Sequence, residues 1–367
     1  MDILEAVIAA LSQEERVMLA TIISTSGSTT ASAFSKMSIT EGGKTSLGTV
    51  GGGCLEGDVL QAAKRLYEAN RAEILTFHLN EDEFVQGLIC GGSLDVLIEP
   101  VDKDDIPLFK DLARRRAEGE DIVLATLLTV DGQILLRQII DSESGILKPH
   151  TPVEHNVSMI EELHKVFHRN QTRRVKVSNG ELILEPIAGT PGLIIFGGGH
   201  VSRYVSKAAA MAGFRVTVVD DRKQYANPER FPEASQTLAL DFAEAFDHLS
   251  VKASTYIVIV TRGHQYDEDI LEQAVKTPAK YVGMIGSKRK VIKTYEHLLQ
   301  RGVSSEALTR VQAPMGIEIG ATTAEEIGVS IVAQLIAVRR GAQQPYADKS
   351  QRIREFIFTP EHTHSNK

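Results

Sequence analysis

The chain has 367 residues, of which 43% are hydrophobic and 24% charged, with a formal net charge of −8. That size and balance suit two globular domains, each with a full core. The acidic total argues against nucleic acid as the main partner, because phosphate backbones reward clustered Lys and Arg.

Met1–Leu11 is apolar but acidic, without a basic leader. Ile3, Leu4, Val7, Ile8 and Leu11 fall at helical spacing, so a docked amphipathic helix is predicted rather than a signal peptide. No apolar run is long enough to span a bilayer, so a cytoplasmic location is expected. Val17–Ser26 reads as a buried strand and Ser46–Val50 as a second. Leu55, Val59, Ala62, Ala63 and Leu66 then mark one face of a helix. Leu75–His78 is strand-like. Ser93–Glu99 alternates as a half-buried strand that Pro100 is expected to end. Residues 105–118 read as a helix. Ile122–Thr129 and Gln133–Ile140 flank Asp131-Gly132, a hairpin signal. Residues 141–172 read as irregular or loosely helical, and Leu182–Ile187 as a last strand.

After Pro191-Gly192 short apolar strands alternate with helices. Leu193–Phe196, Arg215–Val219, Tyr256–Val260 and Tyr281–Ile285 predict a parallel sheet wound with helices. Thr323–Arg339 closes it, and Thr323-Ala324-Glu325-Glu326 fits a capping box. The fold class is therefore α/β. A mixed α/β domain over 1–190 (101–190 optionally a subdomain) precedes a Rossmann-like doubly wound domain over 191–341, with a polar tail over 342–367.

Two glycine-crowded turns carry the chemistry. The second, Gly197-Gly198-Gly199, joins strand Leu193–Phe196 to a helix and opens a dinucleotide-type fingerprint, with Ser202 in the third glycine position. Gly197 allows the tight turn. Gly199 lets a pyrophosphate approach backbone at the helix N-terminus. His200 follows, as a ligand contact or a capping imidazole. Asp220 ends the second strand, where a carboxylate can bind ribose hydroxyls. Arg262 and His264 follow the strand Tyr256–Val260. Ser287 and Lys288 follow Tyr281–Ile285. These four could converge at the carboxyl ends of the strands, where open α/β sheets bind ligands; a Ser at a helix start beside Lys suits an anion. Plain capping and solvated charge is the alternative.

The first turn, Gly51-Gly52-Gly53-Cys54, sets a thiol at a helix start, which favours thiolate, while Glu56 works against that. Cys90 lies in a second glycine-flanked bend, Gly87–Gly92, with Gly91 after it. Two cysteines form neither a disulfide framework nor a four-cysteine zinc site, and no C-x-x-C spacing occurs. Both could be small buried hydrophobes. No nucleophile elbow, acid–base pair or metal motif emerges, so no catalytic residue is assigned.

These blocks resemble the XdhC/CoxI family, accessory proteins of xanthine dehydrogenase and related molybdenum hydroxylases. The resemblance rests on Gly27-Ser28-Thr29, Gly51–Gly57, Leu88–Gly92, Phe196–Val201, Val219-Asp220-Asp221-Arg222, Thr261–His264, Gly283–Lys290 and Pro314–Ala321. It implies a protein that binds the molybdenum cofactor in its molybdopterin form, protects it during sulfuration and delivers it to apo xanthine dehydrogenase or a related molybdenum hydroxylase. It also implies a cysteine desulfurase as partner, Cys54 or Cys90 near molybdenum, and Arg222 among the cofactor-binding residues. A cofactor chaperone is thus expected ahead of a catalyst, and a homodimer as the commonest assembly. The chain departs from the family at Thr30, Ala31 and Phe34, where Pro, Arg and, later, Gly are usual. An NAD-dependent oxidoreductase and a non-catalytic subunit of the dehydrogenase are the alternatives.

Overall fold

The computed structural model describes residues 2–27, 33–40, 46–78, 92–141, 157–169, 171–342 and 357. The chain divides into two compact units, with the boundary between Gly189 and Thr190.

The first unit opens with helix α1 (Ile3–Leu11), whose start is capped by Asp2 accepting from the Leu4 N–H at 2.9 Å. Strands β1 (Arg16–Ser26), β2 (Lys36–Ile39) and β3 (Ser46–Gly48) precede helix α2 (Gly53–Ala69), then β4 (Glu73–His78) and β5 (Ser93–Asp102). They form an antiparallel sheet in the order β3-β2-β1-β5-β4. β1 is covered on both faces, which is why it reads as an unbroken apolar run rather than an alternating one. Met18, Ala20 and Ile22 pack under Leu55, Val59, Ala63 and Leu66 of α2. Val17 and Leu19 point the other way, against α1 and helix α3 (Ile106–Ala117). Pro100 does not end β5. It pairs with Met18 on one side, while β4 stops at the Glu73–Ile98 pair, so the missing N–H falls where no strand runs.

Strands β6 (Ile122–Thr129) and β7 (Ile134–Asp141) form the predicted hairpin, with Gly132 at φ 84°. Helix α4 (Val157–Arg169) forms within the stretch expected to be irregular or loosely helical, and β8 (Arg173–Val177) and β9 (Gly180–Ile187) complete a sheet ordered β7-β6-β9-β8. Two buried ion pairs join the two sheets. Lys36 on β2 reaches Glu185 on β9 at 2.6 Å and donates to Thr21 Oγ1 at 2.9 Å. Arg137 on β7 donates to Glu99 Oε2 on β5 at 2.8 Å, to Asp105 Oδ2 at 2.7 Å and to the Pro100 carbonyl at 2.6 Å.

The second unit is a six-stranded parallel sheet. Its strands are β10 (Gly192–Phe196), β11 (Arg215–Asp220), β12 (Gln236–Ala239), β13 (Tyr256–Ile259), β14 (Tyr281–Met284) and β15 (Val311–Gln312), in the order β12-β11-β10-β13-β14-β15. Helix α5 (His200–Met211) follows β10, α6 (His264–Ala274) follows β13 and α7 (Lys288–Gln300) follows β14. The short α8 (Ser305–Thr309) precedes β15, and α9 (Ala324–Arg340) ends the unit. Both faces are covered. Ile194, Phe196, Ile257 and Ile259 face a core shared with α6 and α7. Leu193, Ile195, Tyr256 and Val258 face α5 and α9. The capping box of α9 forms as its sequence predicts, Thr323 Oγ1 accepting from the Glu326 N–H at 3.2 Å. The expected Rossmann-like doubly wound sheet is therefore present. Its strand order reverses between β10 and β13, which places the ligand crevice of such sheets above the end of β10. Among the described residues, no helix is long and apolar enough to cross a membrane.

Candidate functional site

The crevice at the end of β10 has a volume of about 260 Å³. It is lined by Gly197, Gly199, His200 and Val201 from the turn into α5, Asp220 and Arg222 after β11, Val260, Thr261 and Arg262 after β13, and Ile285 after β14. The three turn glycines have different reasons to be there. Gly197 sits at φ 102°, and a Cβ would lie 2.5 Å from the Val260 carbonyl oxygen. A Cβ on Gly198 would lie 2.2 Å from the Tyr225 carbonyl oxygen. Both are dictated by the fold. Gly199 is not. It is the N-cap of α5 at φ −70°, an angle open to any residue, and a Cβ there meets nothing within 4 Å. No side chain caps α5, so the first amides of the helix face the crevice without a protein acceptor from the cap position. Gly197→Ala is expected to cost about 2 kcal/mol or more, from backbone strain and overpacking, read as a lowered melting temperature of the second unit.

The charged lining is already paired. Asp220 is buried and accepts from the Gly198 N–H at 2.8 Å, the Arg222 N–H at 3.0 Å, and Arg222 Nε and Nη2 at 2.9 and 3.1 Å. Its carboxylate thus staples the turn rather than standing open for a ribose. Arg222 also lies 3.7 Å above the Tyr225 ring, and its bonds to Asp220 raise its already high pKa. Arg262 forks onto Asp221, with Nη2 to Oδ2 at 2.7 Å, and Nη2 also reaches the Tyr266 hydroxyl at 3.0 Å. That fork holds Asp221 below the usual carboxylate range.

His200 and His264 are exposed at the first residues of α5 and α6. Ser287 caps α7, accepting from the Lys290 N–H at 3.3 Å. Lys288 lies instead in a groove along α7 with Arg289, Ile292, Lys293 and Glu296. The lysine that turns toward the strand ends is Lys290. Its Nζ bonds Asp267, a fully buried residue on α6, which also accepts from Thr261 Oγ1 at 2.6 Å. No sequence spacing links Lys290 to Asp267; only the adjacency of α6 and α7 brings them together. Asp221 was likewise legible only as the neighbour of Asp220.

The first glycine turn is built differently. Gly51, Gly52 and Gly53 all hold positive φ, at 125°, 78° and 62°. Glu56 folds back over them and accepts from the Val50 N–H at 3.3 Å, the Gly52 N–H at 3.2 Å and the Thr49 hydroxyl at 2.5 Å. The chain's own carboxylate therefore closes the turn that leads into α2. Cys54 is the second residue of α2; its side chain, Cys90, Gly91, Thr30 and Ala31 lie outside the described residues. Phe34 is described, at φ 70°, a left-handed conformation glycine adopts freely and a bulky residue at some cost.

The XdhC Rossmann domain family matches residues 193–335, and the XdhC and CoxI family matches residues 10–78. An uncharacterized protein of Escherichia coli K12, YqeB, is 33% identical over 153 residues, which are 41% of this chain and 28% of that protein. A protein of Bacillus subtilis described as a probable xanthine dehydrogenase subunit is 25% identical over 90% of this chain and 96% of its own length. A crystal structure described as a xanthine dehydrogenase from Bacillus halodurans superposes with a TM-score of 0.75 at 26% identity, covering 94% of this chain and 97% of that one. The glycine turn on a doubly wound sheet, the mixed unit before it and these matches agree: the chain belongs to the XdhC and CoxI family.

Proposed function

We propose that this chain is an accessory protein in the maturation of a xanthine dehydrogenase or a related molybdenum hydroxylase. In this reading the crevice above β10 takes the phosphate of the molybdenum cofactor, in its molybdopterin form. The observation that carries it is Gly199. Neither backbone conformation nor protein packing requires glycine there, and the missing side chain leaves open space at a residue that lines the crevice. Helix-start amides with room above them fit a phosphate. The amides of His200 and Val201 would hold it, and Arg262 would add charge. When bound, such a cofactor supplies the metal and dithiolene chemistry of the client enzyme. The chain's part is to hold it, shield it and hand it on. A cysteine desulfurase is the proposed sulfur donor.

The test is retention. Purified full-length protein mixed with molybdopterin should carry pterin through gel filtration, and intact-mass analysis after gentle purification should find it bound. Elution free of pterin in both would overturn the reading.

A nicotinamide dinucleotide is the second reading, favoured by the strand order of the sheet. Asp220 counts against it, because Gly198 and Arg222 already use the carboxylate that would bind ribose. Titration with NADH to millimolar concentration, without a change in its fluorescence, would dismiss it.

A further inference from the structure

Among the described residues, three cationic side chains at this crevice bond carboxylates of the chain itself, Arg222 to Asp220, Arg262 to Asp221 and Lys290 to Asp267, while Arg230 donates to the Gly198 carbonyl at 2.8 Å. An incoming phosphate therefore meets helix-start amides but no uncommitted guanidinium or ammonium among these three. Charge for it has to come from a pair that can open.

Burial decides which pair that is. Lys290 cannot leave without reducing Asp267, whose side chain is 0% exposed, to the Thr261 hydroxyl, and Arg222 cannot leave without reducing Asp220, at 2%, to backbone N–H partners, neither of which carries a countercharge. An unpaired buried carboxylate is strongly destabilising. Asp221 is different, with a side chain 23% exposed, so water can solvate it when Arg262 departs. Arg262 also keeps a second hold, its guanidinium 4.7 Å from the Tyr266 ring centre. Position matters as well. β10 lies between β11 and β13, and Asp221 follows the first while Arg262 follows the second. The fork thus links the two loops that flank the carboxyl end of β10, and Arg262 lines the same crevice as Gly197 and Gly199.

Resting on the phosphate reading above, we propose that the Arg262–Asp221 pair is an exchangeable latch: a phosphorylated ligand draws Arg262 off Asp221 and onto its phosphate. Asp221 competes with the ligand for one guanidinium. It excludes weak monoanions and admits ligands whose phosphate outbids a carboxylate in bidentate geometry. The latch is thereby a specificity device as well as a closure.

The experiment is a double-mutant cycle on the full chain, with inorganic pyrophosphate titrated calorimetrically at fixed ionic strength and circular dichroism confirming each fold. Asp221→Asn should bind about threefold tighter, the range of exposed ion-pair couplings. Arg262→Gln should bind about tenfold weaker or worse. The double variant should match Arg262→Gln alone, because Asp221 acts only through Arg262. Equal tightening by Asp221→Asn in both backgrounds would reduce Asp221 to long-range charge and overturn the latch. Unchanged or weakened binding by Asp221→Asn alone would overturn it too. The parent reading fails separately: wild-type protein would not bind pyrophosphate, or Gly199→Asp would leave binding intact, and either result removes the latch with it.

Discussion

Gly199→Asp is expected to leave the protein folded, with a melting temperature equal to or slightly above the parent's, while pterin retention falls about a hundredfold. The two halves of this result come from the same atoms. Gly199 is the N-cap of α5, has an ordinary φ of −70°, and offers space where a Cβ would stand. Asp is among the preferred N-cap residues and improves on Gly by a few tenths of a kcal/mol, with a further ~0.3–1 kcal/mol from the helix dipole. The same carboxylate then sits on the amides proposed to hold a phosphate. Juxtaposed like charges cost several kcal/mol, and ~3 kcal/mol is roughly a hundredfold in affinity. A stable variant that still retains pterin would move the cofactor elsewhere. In the first glycine turn Glu56 accepts from the Val50 and Gly52 amides, which precede α2. Both turns hold a carboxylate of the chain on one backbone amide, Glu56 on Gly52 and Asp220 on Gly198, so what sets Gly199 apart is open space at an ordinary φ.

The sequence carried the Rossmann unit because its signals are local. An apolar strand, a glycine turn and a helix lie within twenty residues, and Gly197 announces a turn that no other residue could make. The occupancy of the crevice was not legible, because it depends on side-chain choices between near neighbours. Asp220 could have faced a ribose or the Gly198 amide, and residue types alone do not choose. Arg262 and Asp221 are 41 positions apart and Lys290 and Asp267 are 23 apart, so each pair exists only once the sheet order brings their loops together. The first unit was harder to read for the same reason. β2 is four residues long and begins with a lysine, which by itself suggests a solvated loop. It is a strand by its pairing with β1 and β3, and its buried ammonium is accepted by Glu185, 149 positions away. Pro100 misled in the opposite direction, since a proline inside a strand is acceptable only when the neighbouring strand has already ended.

Arg137→Ala should produce the largest loss of stability of any single substitution considered for the first unit, about 3–5 kcal/mol. The arginine side chain is 6% exposed and the Glu99 side chain beneath it 2%. Burial by itself would favour the neutral guanidine, yet Glu99 and Asp105 hold the Arg137 pKa above its ordinary value. The charge is therefore kept, and removing it leaves the buried Glu99 carboxyl without its partner, a defect worth about 3–5 kcal/mol in comparable buried pairs. The Pro100 carbonyl also loses a donor at 2.6 Å. For a unit of this size each kcal/mol moves the midpoint by about 2–4 °C, so the midpoint for the first unit should fall by about 10 °C. Replacing both partners, Arg137→Met with Glu99→Leu, should recover most of the loss, because an apolar pair of similar volume strands no charge. If the single variant melts within about 2 °C of the parent, as a solvated pair would allow, then these ion pairs do not lock the two sheets together. The Lys36–Glu185 pair would then have to be judged structurally dispensable on the same grounds.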